Sequence, residues 1–183
     1  MQLRIYDPRI LALDLRARRF GYAVFEGPRR LLDSGTRANV AGRPEESGTS
    51  ARALSEFLKL WSPATIVIKK QRWELASEWA IREALLNQAK ARSIDIRLLD
   101  QTQLNYRFRQ LGCSTKEDVA EVLAKIFPEL IWTLPPKRKV WESEHPRMSV
   151  FDAIALGLVY WQSETKLVMD LSEKAFDQDE EQS

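Results

Sequence analysis

Ile10, Leu11, Ala12, Leu13 and Leu15 form a run apolar on both faces, interrupted only by Asp14. Such a run predicts a strand in the middle of a sheet, with helices above and below it. From Phe20 the stretch FGYAVFEG alternates loosely and is rich in aromatic and β-branched residues, and Glu26 to Arg29 (EGPR) marks a turn, so a second strand follows. Arg30 to Arg37 reads as a third. Both connections are too short for a crossover, which makes the three strands an antiparallel meander. The polar stretch Asn39 to Ser50 is a loop. It leads into a helix capped by Thr49 or Ser50, with Ala53, Leu54, Phe57, Leu58 and Trp61 on its apolar side, ending before Pro63.

Ala64 to Lys70 is a short buried strand that turns basic at its carboxyl end. The period then changes: Trp73, Ala76, Ala80, Ile81, Ala84, Leu85 and Ala89 recur at helical spacing through Arg92, and SIDIRLLD to Asp100 is the next strand. Strand and helix periods alternating after a meander predict an α/β fold. The expected form is a mixed five-stranded sheet in the order 3-2-1-4-5, strand 2 antiparallel, with helices on both faces. Gln101 to Gln110 reads as a short helix, Lys116 to Phe127 as a helix capped by Ser114 or Thr115, and Pro135 to Pro146 as a loop without period. Ser149 to Gln162 is apolar nearly all round and predicts a buried helix, while beyond Lys166 a fraying tail is expected.

A chain of 183 residues, 44% hydrophobic, suits one domain with a core large enough to need no staples. The division expected is a domain over residues 1–169 and an acidic, disordered tail over 170–183. A single cysteine, Cys113, rules out an internal disulfide framework or a multi-cysteine metal site. With no apolar leader or membrane-length span in view, the reading is cytoplasmic. Net charge is +2, but it is unevenly placed: 27 bases and 20 acids precede Asp170, so the body carries about +7. Its bases come in knots, among them Arg16, Arg18 and Arg19, then Lys69, Lys70 and Arg72. Such knots can neutralise nucleic-acid phosphates, or simply solvate a surface.

Asp14 is the residue that asks for chemistry. A carboxylate in a buried strand is tolerated when paired, hydrogen-bonded or metal-bound. Pairing with Lys69 or a turn arginine accounts for it without any ligand role. Ser149 and Asp152 have the S-x-x-D spacing of a capping box, which accounts for Asp152 through its helix terminus. His145, beside Pro146 in a polar loop, reads as a surface residue. Tyr106 and Phe108 are able to stack on bases or to pack a helix. Most of the six tryptophans are expected in the core.

The ordered set ILALDLRARRFGYAVF, ATIVIKKQ, STKEDVAEVL and SVFDAIALGLVYW resembles the RuvC-type Holliday junction resolvases of the RNase H-like superfamily, over about residues 9 to 163. The resemblance implies hydrolysis of DNA phosphodiesters at junctions, by a homodimer, with two Mg²⁺ or Mn²⁺ ions held by four acids. By position, Asp14 and Asp152 match two of those acids and are the metal and catalytic candidates. Lys69 and Ser149 stand where the other two belong. Glu74, Glu142 and Glu144 are unmatched acids able to substitute, and Lys116 matches a lysine the family places near DNA. The reading is therefore a protein that binds branched or structured DNA, with Arg16, Arg18, Arg19, Lys69, Lys70, Arg72 and Lys116 as contacts and with cleavage weak or lost. An active Mg²⁺-dependent endonuclease and a non-catalytic protein-interaction domain stand as alternatives. A sugar-kinase or actin-like ATPase fragment is opposed by the turn LRARR, which is no glycine-rich phosphate cradle.

Overall fold

The computed structural model describes residues 8–16, 19–38, 47–70, 76–137, 141 and 143–180, with side chains at 47–53, 76–78, 80 and 165–180 excepted. Five strands, β1 (Arg9–Leu15), β2 (Arg19–Glu26), β3 (Leu31–Ala38), β4 (Thr65–Lys69) and β5 (Asp95–Leu99), form one sheet in the order β3-β2-β1-β4-β5. β2 is antiparallel to β1 and β3, whereas β4 is parallel to β1 and β5, as the strand and helix periods predict. The helices are α1 (Ser47–Trp61), α2 (Ala76–Ala91), α3 (Gln101–Gln110), α4 (Lys116–Ile126) and α5 (Met148–Glu180), with a 3-10 turn at Pro128–Thr133.

Alternation along β1 sends its side chains into two separate cores. Ile10 and Ala12 join Ala23, Phe25 and Val67 beneath α3, α4 and α5. Leu11, Leu13 and Leu15 join Val24, Ile66 and Ile68 beneath α1 and α2. The same alternation turns Asp14 to the α5 face, at the carboxyl end of the central strand. Directly across from it in register is Gly21 on β2. A Cβ at Gly21 would lie 2.0 Å from the Ser149 backbone oxygen and 2.3 Å from its carbonyl carbon. Glycine is thus what lets the first turn of α5 settle onto the sheet beside Asp14. Gly21→Ala is expected to destabilise the protein by at least the ~1–3 kcal/mol usual for overpacking, because the obstacle is backbone and no side chain can rotate away. Denaturant titration measures this, and unchanged stability contradicts the close approach.

Three local expectations change. α1 begins at Ser47, before the expected caps. α5 stays helical through residue 180, into the acidic stretch expected to fray. No glycine or proline follows Lys166 to stop a helix there, and Leu, Ala, Glu and Lys are good formers. Of the tryptophans, Trp161 is buried and Trp61 half-buried, whereas Trp79, Trp132 and Trp141 are exposed, the latter two at 88% and 81%; Trp73 lies outside the described residues. Arg82 makes a cation–π contact with the exposed Trp79 ring. Thr115 proves to be the α4 cap, in a reciprocal box with Asp118. Among the described residues no helix is long and apolar enough to cross a membrane.

Candidate functional site

The carboxyl ends of β1 and β4, the start of α4 and the first turn of α5 meet at one rim of the sheet. Asp14 arrives there from β1, and its residue is 2% exposed. Asp152 arrives from α5, one turn past Gly21's point of contact. Glu144 comes from the segment preceding α5. These three acids do not surround a void. They surround Arg16, the second residue after Asp14, which leaves the strand end and folds back over the rim.

Each arm of that guanidinium meets a different carboxylate. Nε donates to Asp14 Oδ2 at 2.6 Å and Nη2 to Asp152 Oδ2 at 2.7 Å. Nη1 lies 2.6 Å from Glu144 Oε1, an ion pair whose angle leaves that oxygen without a well-aligned hydrogen bond. Lys116, the first residue of α4, donates from Nζ to Glu144 Oε2 at 2.8 Å and to Asp152 Oδ2 at 2.9 Å. Lys69 completes the ring, its Nζ 3.9 Å from Asp14 Oδ1. Three acids and three cations thus balance at formal charge zero. A planar guanidinium with five donors in a fixed fork suits this task, which a point-like ammonium could not perform alone.

The two ends of the cluster titrate differently. Burial under the sheet, reinforced by the neighbouring Asp152 charge, pushes the Asp14 carboxyl above its ordinary value, outweighing Arg16 and Lys69. Burial also acts upward on Glu144, but there the contacts with the Lys116 and Arg16 cations prevail and hold it below the usual carboxylate range. The Lys116 ammonium loses some preference to burial yet is raised by Asp152 and Glu144, and Arg16 is raised for similar reasons by Asp14 and Glu144. The signs give a pH prediction. A lowered folded value means that Glu144 contributes stability above its unfolded pKa and loses it as pH falls through the folded one. A raised folded value means the reverse for Asp14, whose contribution grows as pH falls through that value. Asp14→Asn should therefore steepen the loss of stability in acid, and Glu144→Gln should flatten it. Urea titrations between about pH 7 and pH 3, spanning the ordinary carboxylate values, read the difference. Parallel profiles for parent and both variants are the contrary result.

Pairing explains Asp14 as the sequence allowed, through both Lys69 and Arg16. The capping box does not form: Ser149 Oγ donates to the Pro146 carbonyl at 3.0 Å, and Asp152 faces Arg16 and Lys116 instead of its own helix terminus. Ser149 is wholly buried. His145 is half-buried and accepts from the Arg147 backbone N–H at 3.2 Å, outside the cluster. Lys70 is exposed beside Lys69, and Arg19 sits half-buried at the start of β2, where its carbonyl accepts from the Arg16 N–H. Phe108 is core, whereas Tyr106 is 61% exposed. Arg18, Arg72, Glu74 and Glu142 lie outside the described residues.

A divalent metal pair does not fit this donor set. Asp14, Asp152 and Glu144 each spend a carboxylate oxygen on Arg16, and Lys69 and Lys116 stand against them as further cations. Among the described residues no group of three His, Cys, Asp or Glu side chains is arranged to hold a metal ion.

No protein-family model and no curated protein matches the sequence. Solved structures do match. A Thermus thermophilus RuvC structure superposes with a TM-score of 0.64 at 20% identity, over 86% of this chain and 96% of that one. T. thermophilus RuvC in complex with Holliday junction substrate gives 0.63 at 16% identity, again over 86% and 96%. The fowlpox virus Holliday junction resolvase gives 0.50 at 13% identity, over 85% and 99%. The mixed sheet and its helices are therefore a RuvC-like, RNase H-like fold.

Proposed function

From a RuvC-like fold whose acidic centre is closed by its own cations, we propose that this chain binds branched or structured DNA and does not cleave it. The observation that carries the reading is Arg16, bonded at once to carboxylates from β1, α5 and the segment before α5. Two-metal hydrolysis needs those oxygens for the ions that stabilise the attacking and leaving groups. Here they are engaged by a group that cannot deprotonate or activate water. The same replacement turns an acidic rim, which would repel a phosphate unless metal-loaded, into a neutral one bordered by exposed bases. Lys70, Arg109 and Arg147, outside the balanced cluster, are all exposed. Such a rim meets a phosphate backbone directly. A four-way junction offers two equivalent crossing strands, so a homodimer, with one rim per strand, belongs to this reading. A cytoplasmic setting, where the lone Cys113 stays reduced, also belongs to it.

The test is a gel-shift titration with labelled four-way junction, duplex and single-stranded DNA, at low salt, in EDTA and in Mg²⁺. Junction binding of equal strength in both buffers, tighter than duplex binding, is the expected result. Absence of binding to every DNA form at low salt removes nucleic acid as the partner. It would leave the exposed Trp132 and Trp141 as the starting point for a protein partner.

A further inference from the structure

A cleft of about 210 Å³ opens beside the acidic centre, between α3, the start of α4 and the first turns of α5. It shares Lys116 and Asp152 with the cluster, so the two are continuous. Its floor is apolar: Leu104 and Phe108 from α3 and Ala155 from α5 are buried there, with Val119 half-buried on the α4 side. Its lip is polar. Asn105 Oδ1 accepts from Gln101 Nε2 at 2.9 Å, which leaves the Asn105 amide N–H groups without a partner among the described residues. The Arg109 guanidinium likewise has no hydrogen bond or ion pair among them, and Lys116 spends two of its three donors on acids.

The dimensions and chemistry restrict what can enter. The volume is below the ~300–1,000 Å³ of sites for drug-sized ligands, enough for one flat ring system and too small for a base pair. An apolar floor takes the face of a ring, a carboxamide edge takes its polar rim, and two cations at the mouth take a phosphate. The backbone N–H groups of Ser114 and Thr115 are already held by Asp118 at 2.8 Å each, so the attraction for an anion comes from the Arg109 and Lys116 side chains and not from the α4 terminus. We propose that this cleft is a subsite for a single unpaired nucleotide, its base on the Leu104–Phe108 floor and its phosphate between Arg109 and Lys116. The proposal rests on the DNA-binding reading and names what that DNA must supply: a base already out of its stack, which costs least to seat at a branch or bulge.

Two measurements test it. Nucleoside monophosphates titrated into ¹⁵N-labelled protein should shift the side-chain amide resonances of Asn105 and Gln101, and no shift with any of the four at millimolar concentration overturns the proposal. In the second, junctions with and without one unpaired nucleotide at the branch are compared. The parent should favour the unpaired form by about tenfold, the order expected for one seated base. Val119→Trp, which fills the cleft, should abolish that preference while keeping affinity for the fully paired junction. Asn105→Ala, at an exposed position, carries the same comparison if the tryptophan variant does not fold. A preference that survives both variants overturns the subsite. Amide shifts with nucleotides but no binding of any DNA would instead retain the subsite and refute the DNA-binding reading.

Discussion

Arg16→Ala is expected to cost about 3–5 kcal/mol of folding stability, the range for leaving a buried charge without its partner. One substitution removes a hydrogen bond to Asp14, a second to Asp152 and an ion pair to Glu144. The Arg16 side chain is 30% exposed, which places the effect toward the lower end, but the Asp14 side chain is 3% exposed and cannot turn to water for replacement. Lys69 at 3.9 Å is too distant to take over. Arg16→Lys should recover little, since one ammonium cannot span three carboxylates from three segments. Combining Arg16→Ala with Asp14→Asn should recover a substantial part, because the orphaned charge disappears with its partner. Equilibrium denaturation of the parent, Arg16→Ala, Asp14→Asn and their combination reads this cycle, with Arg16→Lys measured beside them. A loss below about 1 kcal/mol for Arg16→Ala would mark the cluster as an ordinary surface ion pair.

Junction affinity is expected to fall by about 40-fold between 50 and 200 mM salt. If Lys70, Arg109 and Arg147 each neutralise one phosphate, counterion release gives a slope near −2.7 in log–log form, or roughly 40-fold over that interval. Lys70 and Lys116 should behave differently when removed. Lys70 is exposed, so Lys70→Ala should weaken all DNA forms alike and lower the slope by about 1. Lys116→Ala also uncovers Glu144 and Asp152, so its loss should exceed that of one phosphate contact. Filter binding across a salt series measures both. A flat salt profile contradicts the basic rim as the binding surface.

The sheet order could be read from the chain because its period changes from two to helical spacing in sequence order, and each crossover is long enough to hold one helix. Asp14 was legible for a different reason: a charge inside an apolar run is costly and so must be explained. The sequence offered Lys69 or a turn arginine as its partner; what it hid was that one arginine also reaches Asp152 and Glu144. Arg16 lies in a basic knot and reads as a phosphate contact, and nothing in its spacing says that it folds back over Asp14. Glu144 sits in a stretch without period, so no pattern could assign it a place, and only the folded rim brings it to Lys116. The S-x-x-D spacing misled because the Pro146 carbonyl takes the Ser149 hydroxyl. Gly21, which admits α5 to the sheet, reads in sequence as one more residue of an alternating strand. Its role appears only when Ser149 is found 2.0 Å from the missing Cβ.

The central claim is that Arg16, with Lys69 and Lys116, stands in place of divalent ions. The most direct measurement is incubation of the labelled junction with parent protein and with Asp14→Asn, in Mg²⁺, in Mn²⁺ and in EDTA, at concentrations where binding is complete. Intact strands in all three buffers, with the thermal midpoint of the free parent unmoved by either metal, are what a cation-closed centre predicts. Metal-dependent nicking by the parent that vanishes in Asp14→Asn would contradict it, and would mean that Arg16 leaves the three carboxylates when DNA arrives.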